Sequence, residues 1–279
     1  MTYKIIGDSC SDFRDVEKND SHLVIVPLTL QIGDYHVIDD EKFDQKAFIQ
    51  RVNESPVGAK TACPSPQLFK EAYECDAEMV FAVTLSEHLS GTYQSAVLGK
   101  KLYEEEHGDN KNILVISSHS AAAGQLRIII ELKKLIAQEL SFEEISRKIL
   151  KLRDDMKTYF VIESLEPLRK NGRLSGMTAF FATALNIKPI MGTSLGSIVK
   201  LDQARGINKA LSKMISLALK DTKNVAEETV VITSINNNAR GQQVKKEFEE
   251  AGFKNVIVTE AMGVATVYAG DGGIIVGMA

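Results

Sequence analysis

The stretch KTACPSPQLFKEAYECDAEMVFAVTLSEHLSGTYQSA, Lys60 to Ala96, sets strand-forming text between two helix-forming segments. It reads as a Thr-containing loop, a Pro-initiated helix, an apolar run from Met79 to Val83, and a loop, Leu85 to Gly91, that opens a second helix at Thr92. A buried strand flanked by helices is the unit of a parallel sheet with crossover helices. Hydroxyls gather at both loop-to-helix junctions, Thr61 and Ser65 at the first, Ser86, Ser90 and Thr92 at the second. The first turn of a helix carries unpaired N–H groups and a partial positive charge, so hydroxyls collected there make a seat for a carboxylate or phosphate. Taken singly, each of them also reads as a plain N-cap.

The same alternation extends in both directions. Tyr3 to Ile6, Leu23 to Leu30 and Ile113 to Ile116 are further strands, apolar without alternation as strands covered on both faces are. Asp44 to Asn53, Gln67 to Tyr73, Gly91 to Glu106, Ala121 to Gln138 and Phe142 to Met156 read as helices, with Ser141 and Glu144 forming a capping box. Residues 1–156 form a first domain on this reading, and 157–279 a second. The second opens with a strand at Thr158 to Ile162, a helix or turn over Ser164 to Lys170, a turn at Asn171 to Arg173 and an apolar helix from Gly176. A hairpin follows, Lys188 to Met191 and Ser197 to Leu201 around Gly192 to Gly196. Gly206 to Leu219 and Ala239 to Ala251 are helices, Thr229 to Ile235 and Val256 to Thr259 strands, and the tail closes with a glycine cluster and an apolar strand. The expected class is α/β in two domains, the N-terminal one a mainly parallel sheet with flanking helices, the C-terminal one carrying a mixed or antiparallel sheet.

Composition narrows the function classes. At 279 residues, 44% hydrophobic and 25% charged, the chain is long and apolar enough to bury a sizeable core. A net charge of -4 argues against a nucleic-acid partner, which calls for clustered Lys and Arg. No run approaches the roughly 18 uncharged apolar residues of a membrane span, and MTYKIIGDS has no signal-peptide core; the expectation is a cytoplasmic protein without stable membrane insertion. Cys10, Cys63 and Cys75 lack metal-ligand or CxxC spacing and read as reduced packing residues. His22, His36, His88, His107 and His119 are scattered, with only His88 near the hydroxyl-rich loop. With no Walker loop, GxSxG elbow or HExxH motif, no catalytic centre and no cofactor are expected. Asp8 and Asp12 follow a strand and read as turn or cap residues. The alternative, an acidic metal site, would make the protein an enzyme acting on a small phosphorylated or carboxylated metabolite.

Six motifs then fall in a familiar order. GDSCSDF at Gly7 to Phe13 is similar to TDSTSDL, TACPSP at Thr61 to Pro66 to TSQPSP, and LSGTYQSA at Leu89 to Ala96 matches outright. LEPLRKNGRLSG at Leu165 to Gly176 resembles LEYLKKGGRIS, ALNIKPIM at Ala184 to Met191 resembles LLNIKPIL, and QARG at Gln203 to Gly206 resembles KVRG. VPLTLQIGD at Val26 to Asp34 adds to the likeness. From end to end the chain resembles the DegV family, bacterial fatty-acid-binding proteins that serve as acyl-carrying subunits of fatty acid kinase.

The resemblance implies a two-domain DegV-like (EDD) fold with its ligand between the domains. It implies a long-chain fatty acid, such as a C16 or C18 acid, with its tail in an apolar tunnel and its carboxylate near Thr61 and Ser90. Thr92 stands beside them, and Phe180 and Phe181, on a stretch apolar all round, are core or tunnel wall. Arg173 and Arg205 match arginines presented toward a kinase catalytic subunit, where guanidinium groups favour a phosphoryl group. A buried tail of about 14 methylenes contributes up to ~11 kcal/mol before ordering costs, and the head supplies orientation. Two positions depart from the pattern. Tyr268 stands where the family has a His, and a phenol does not exchange protons near neutrality as an imidazole does, which raises the alternative of a carrier not coupled to a kinase. Ser117 stands where the family usually has an Asp.

Overall fold

The structure, a computed structural model, describes residues 2–13, 20–174 and 186–279. The apolar stretch with Phe180 and Phe181 lies outside them. β1 (Tyr3–Asp8) ends in Asp8, whose Oδ1 accepts the Cys10 N–H at 2.9 Å and caps a single tight turn, Ser9–Ser11. The expected strand over Leu23 to Leu30 is two strands, β2 (Leu23–Val26) and β3 (Thr29–Ile32), which enter different sheets. Pro27 lies at the break, where a residue without an N–H cannot continue a ladder. β3 turns at Gly33, φ +56°, into β4 (Tyr35–Ile38).

Next come α1 (Gln45–Glu54), capped by Asp44, and β5 (Lys60–Ala62). α2 (Pro66–Tyr73), capped by Ser65, leads to β6 (Met79–Thr84), α3 (Thr92–His107) and β7 (Asn112–Ser117). α4 (Ala123–Ile136) and α5 (Phe142–Asp155) follow, the second with both halves of the Ser141–Glu144 capping box formed. Beyond them lie β8 (Lys157–Val161), the short α6 (Glu166–Lys170), the hairpin β9 (Ile187–Ser194) and β10 (Ser197–Arg205), and α7 (Ile207–Asp221). β11 (Thr229–Ser234), α8 (Asn238–Glu250), β12 (Asn255–Glu260), α9 (Gly263–Ala269) and β13 (Ile274–Met278) complete the chain.

β2-β1-β6-β7 form a parallel sheet whose strands all precede residue 157. β10-β9-β8-β13-β11-β12 form a second sheet from residues after 156, antiparallel except for the β11–β12 pair. The fold is therefore α/β with one parallel and one mixed sheet. A small antiparallel sheet, β4-β3-β5, was not foreseen; two of its strands are too short and too exposed to carry a periodic signal.

α4 joins the two large sheets. Leu126, Ile128, Ile129 and Leu132 are fully buried, in one core with Ile5 and Phe81 of the parallel sheet and Val231 of the mixed one. Gly277 of β13 lies against Gly124 of α4, and a Cβ at Gly277 would fall 2.5 Å from the Gly124 nitrogen. Arg127 crosses the same interface, its Nε donating to the Thr229 carbonyl at 3.0 Å and its guanidinium pairing with Glu131 at 2.9 Å. Among the described residues no helix is long and apolar enough to cross a membrane.

Candidate functional site

A cavity of about 80 Å³, open on one side to solvent, lies where the two large sheets, the small sheet and α9 meet. Leu85, Leu89, Phe160, Ile162, Leu168, Ile198, Val264 and Ile275 give it an apolar wall. Thr61, Ser90, Arg173 and Tyr268 line the same cavity, so residues distant in sequence share one enclosure.

Thr61 is not on a loop opening a helix, as its sequence suggested. It lies on β5, paired with Leu30 of β3, and Ser65 alone caps α2 through the Leu68 N–H. Pairing fixes its backbone and leaves its hydroxyl 3.0 Å from the phenol oxygen of Tyr268 on α9. Ser90 closes the loop between β6 and α3. That loop is pinned at three points: the Leu85 N–H donates to Asp8 Oδ2 at 2.8 Å, Ser86 Oγ donates to the Gly196 carbonyl at 2.8 Å, and the Glu87 N–H donates to Ser117 Oγ at 3.2 Å. Ser117 therefore supports the loop on which Ser90 sits. Ser90 Oγ accepts the Thr92 N–H at 3.3 Å and lies 2.9 Å from Thr92 Oγ1. Thr92 is fully buried behind Ser90 and is not itself a lining residue.

Arg173 turns inward. Its Nε donates to the Leu89 carbonyl at 3.1 Å, another nitrogen donates to the Asn171 carbonyl, and the guanidinium stands 5.6 Å from the centroid of the Tyr268 ring. Arg205 ends β10 opposite Ile187, exposed and outside the cavity lining. His88 is also outside the lining. Thr158 and Thr193 line the cavity without any mark in their local sequence, and so does Cys10, which lies inside GDSCSDF but reads there as a packing residue. Burial first, then Asp8 and Asp12, push the Cys10 thiol up, which keeps it protonated and suits it to packing.

Among the described residues, Asp8 and Asp12 belong to no group of three converging potential metal ligands. Both oxygens of Asp8 accept backbone N–H groups, and Asp12 Oδ1 accepts the Met262 N–H at 2.7 Å. Burial pushes both carboxyls up. Among the described residues one group of three potential ligands converges, Glu74, Glu106 and His107. Lys70 already bridges its two glutamates at 2.7 and 2.8 Å, supplying the positive charge a metal would bring.

Fold and cavity together define an α/β protein of two large sheets and one small one, built around a mainly apolar enclosure with hydroxyl, phenol and guanidinium groups in its wall. The chain belongs to the DegV family, whose model, described as an uncharacterised protein of the DegV family, matches residues 2–278. A DegV domain-containing protein of Streptococcus pneumoniae strain R6 is 34% identical over 285 residues, covering 99% of each chain. The crystal structure of a DegV family protein from Ruminococcus gnavus, refined with vaccenic acid, superposes with a TM-score of 0.96 at 42% identity over 99% of both chains. The Fatty Acid Kinase (Fak) B3 protein of Streptococcus pneumoniae, loaded with linoleic acid, superposes with a TM-score of 0.91 at 33% identity, again over 99% of both chains.

Proposed function

We propose that this protein binds one long-chain fatty acid, such as a C16 or C18 acid, in the cavity and presents its carboxylate to a fatty acid kinase catalytic subunit in the cytoplasm. The observation that carries the proposal is the placing of Thr61, Ser90, Arg173 and Tyr268 in the wall of one mainly apolar enclosure. An apolar tail gains by leaving water, while a carboxylate leaving water loses several kcal/mol unless donors meet it. Two hydroxyls, a phenol and a guanidinium are such donors, and the guanidinium adds charge. Relatives with bound vaccenic and linoleic acids support the ligand class, and the Fak B3 likeness supports the kinase.

In this proposal Thr61, Ser90, Tyr268 and Arg173 take the head, Thr92 holds Ser90, and Arg205 faces the partner. The units 1–156 and 157–279 each supply part of the enclosure, and the phosphoryl chemistry belongs to the partner. Native mass spectrometry of protein purified from cells, followed by denaturing lipid analysis, tests it: a co-purifying C16 or C18 acid is expected. Ser90→Ala should weaken its retention about tenfold by removing a hydrogen bond to a charged group. Protein that carries no lipid and takes up no added fatty acid would overturn the proposal. A carrier without a kinase is the second reading, favoured by the phenol of Tyr268; acyl-phosphate formation on reconstitution with the kinase subunit and ATP would exclude it.

A further inference from the structure

α9 is a wall of the cavity, contributing Val264, Ala265, Tyr268 and Ala269, yet it has only seven residues and no capping side chain of its own. Side chains from the first 45 positions of the chain hold it instead. Asp12 Oδ1 accepts the Met262 N–H at 2.7 Å. Asp39 Oδ1 accepts the Gly263 N–H at 2.7 Å and its Oδ2 the Val264 N–H at 3.0 Å. Gln45 Nε2 donates to the Ala261 carbonyl at 2.8 Å and to Thr266 Oγ1 at 2.9 Å.

Asp39 differs from the other two in what it connects. It follows β4 directly, and its own N–H donates to the Leu28 carbonyl at 2.9 Å, so it is fastened to the small sheet whose other edge strand carries Thr61. Both carboxyl oxygens grip α9, and Tyr268 stands one turn further on, over Val264, on the face that lines the cavity. Gly263 permits the grip, since a Cβ there would fall 2.7 Å from Asp39 Oδ1. Asp39 thus links the small sheet that carries Thr61 to the helix that carries Tyr268, whose side-chain oxygens lie 3.0 Å apart.

We propose that Asp39 is a positioning residue for the acid head: it holds α9 against the small sheet so that the Tyr268 phenol and the Thr61 hydroxyl meet one carboxylate. The inference rests on the fatty-acid reading above. A long tail touches apolar residues from many elements and is insensitive to a small tilt of one helix. A head held by directed hydrogen bonds loses them when its donors move by about an ångström.

The test compares dissociation constants for palmitate and for hexadecanol, which share a tail length and differ in head. In Asp39→Asn an NH₂ replaces one accepting oxygen and faces an N–H donor, so one of the two contacts is lost. Palmitate affinity is expected to fall about tenfold while that for hexadecanol changes less than about twofold. Tyr268→Phe should add little to Asp39→Asn, although it weakens palmitate binding when made alone. If Asp39→Asn fails to fold, Gly263→Ala keeps the carboxyl, crowds it, and is expected to give the same split. Parallel losses for both ligands, or additive effects of the two substitutions, overturn this inference and leave the binding proposal standing. A wild-type protein that binds neither ligand overturns both.

Discussion

At Asp8, a single fully buried carboxyl ties two threads of the cavity wall together. Its Oδ1 holds Cys10 and its Oδ2 holds Leu85, both lining residues. Burial raises this carboxyl from 3.8 to about 7, and Asp39 adds to the rise; the Leu85 N–H, the Gln125 side chain and the Cys10 N–H pull the other way. A group whose folded value lies above its unfolded one binds more protons when folded, so its contribution is complete below pH 3.8 and is lost as pH climbs through about 7. Over that window the loss is on the order of 4 kcal/mol at most. Asp8→Asn has no proton to release there. The stability advantage of the wild type over Asp8→Asn is thus expected to shrink by about 2–3 kcal/mol between pH 5 and pH 8. Urea unfolding midpoints at the two pH values measure it, and a constant gap would refute the assignment.

Among the elements, α4 and β13 meet through two glycines, a contact with no slack. Gly277→Ala places a methyl 2.5 Å from the Gly124 nitrogen, so the helix must lift from the sheet or the strand must bend. Overpacking of this kind costs about 1–3 kcal/mol, and in a chain of this size the melting temperature is expected to drop by several degrees. An unchanged melting curve would show that the two backbones separate freely. The same scale shows what the sequence made legible. β6, β7 and α5 have long apolar runs or a complete capping box, signals that lie within the element itself. α9 has no such signal: the groups that satisfy its first N–H groups are Asp12 and Asp39, more than 200 residues away, and its text reads as a glycine-rich tail. Thr61 read as loop because a three-residue strand has no period to detect. Thr61, Ser90 and Tyr268 were singled out through motifs, whereas the inward turn of Arg173 was not, since a polar turn does not show which way its side chain points. Asp39 opens the polar run DDEKFD, where nothing local marks it out from its neighbours.

At the scale of the whole molecule, hydrogen bonds join residues before 157 to residues after 156 at several places. α4 shares its core with both sheets, Arg127 bonds to Thr229, Ser86 to Gly196, Thr259 Oγ1 to the Asp12 carbonyl, and Gln45 to Ala261 and Thr266. Neither half keeps its buried groups satisfied if the other unfolds, because Asp12, Asp39 and Arg127 would lose partners while the apolar face of α4 met water. Unfolding is therefore expected as one cooperative transition, with urea curves from far-ultraviolet circular dichroism and from the fluorescence of the seven tyrosines superimposing. The cavity lies among these same seams, so a bound fatty acid should move the single curve as a whole. At a free concentration 100 times its dissociation constant it adds about 2.7 kcal/mol. Two separate transitions, or a ligand that displaces only one of two, would show that the halves are independent and that the enclosure belongs to one of them alone.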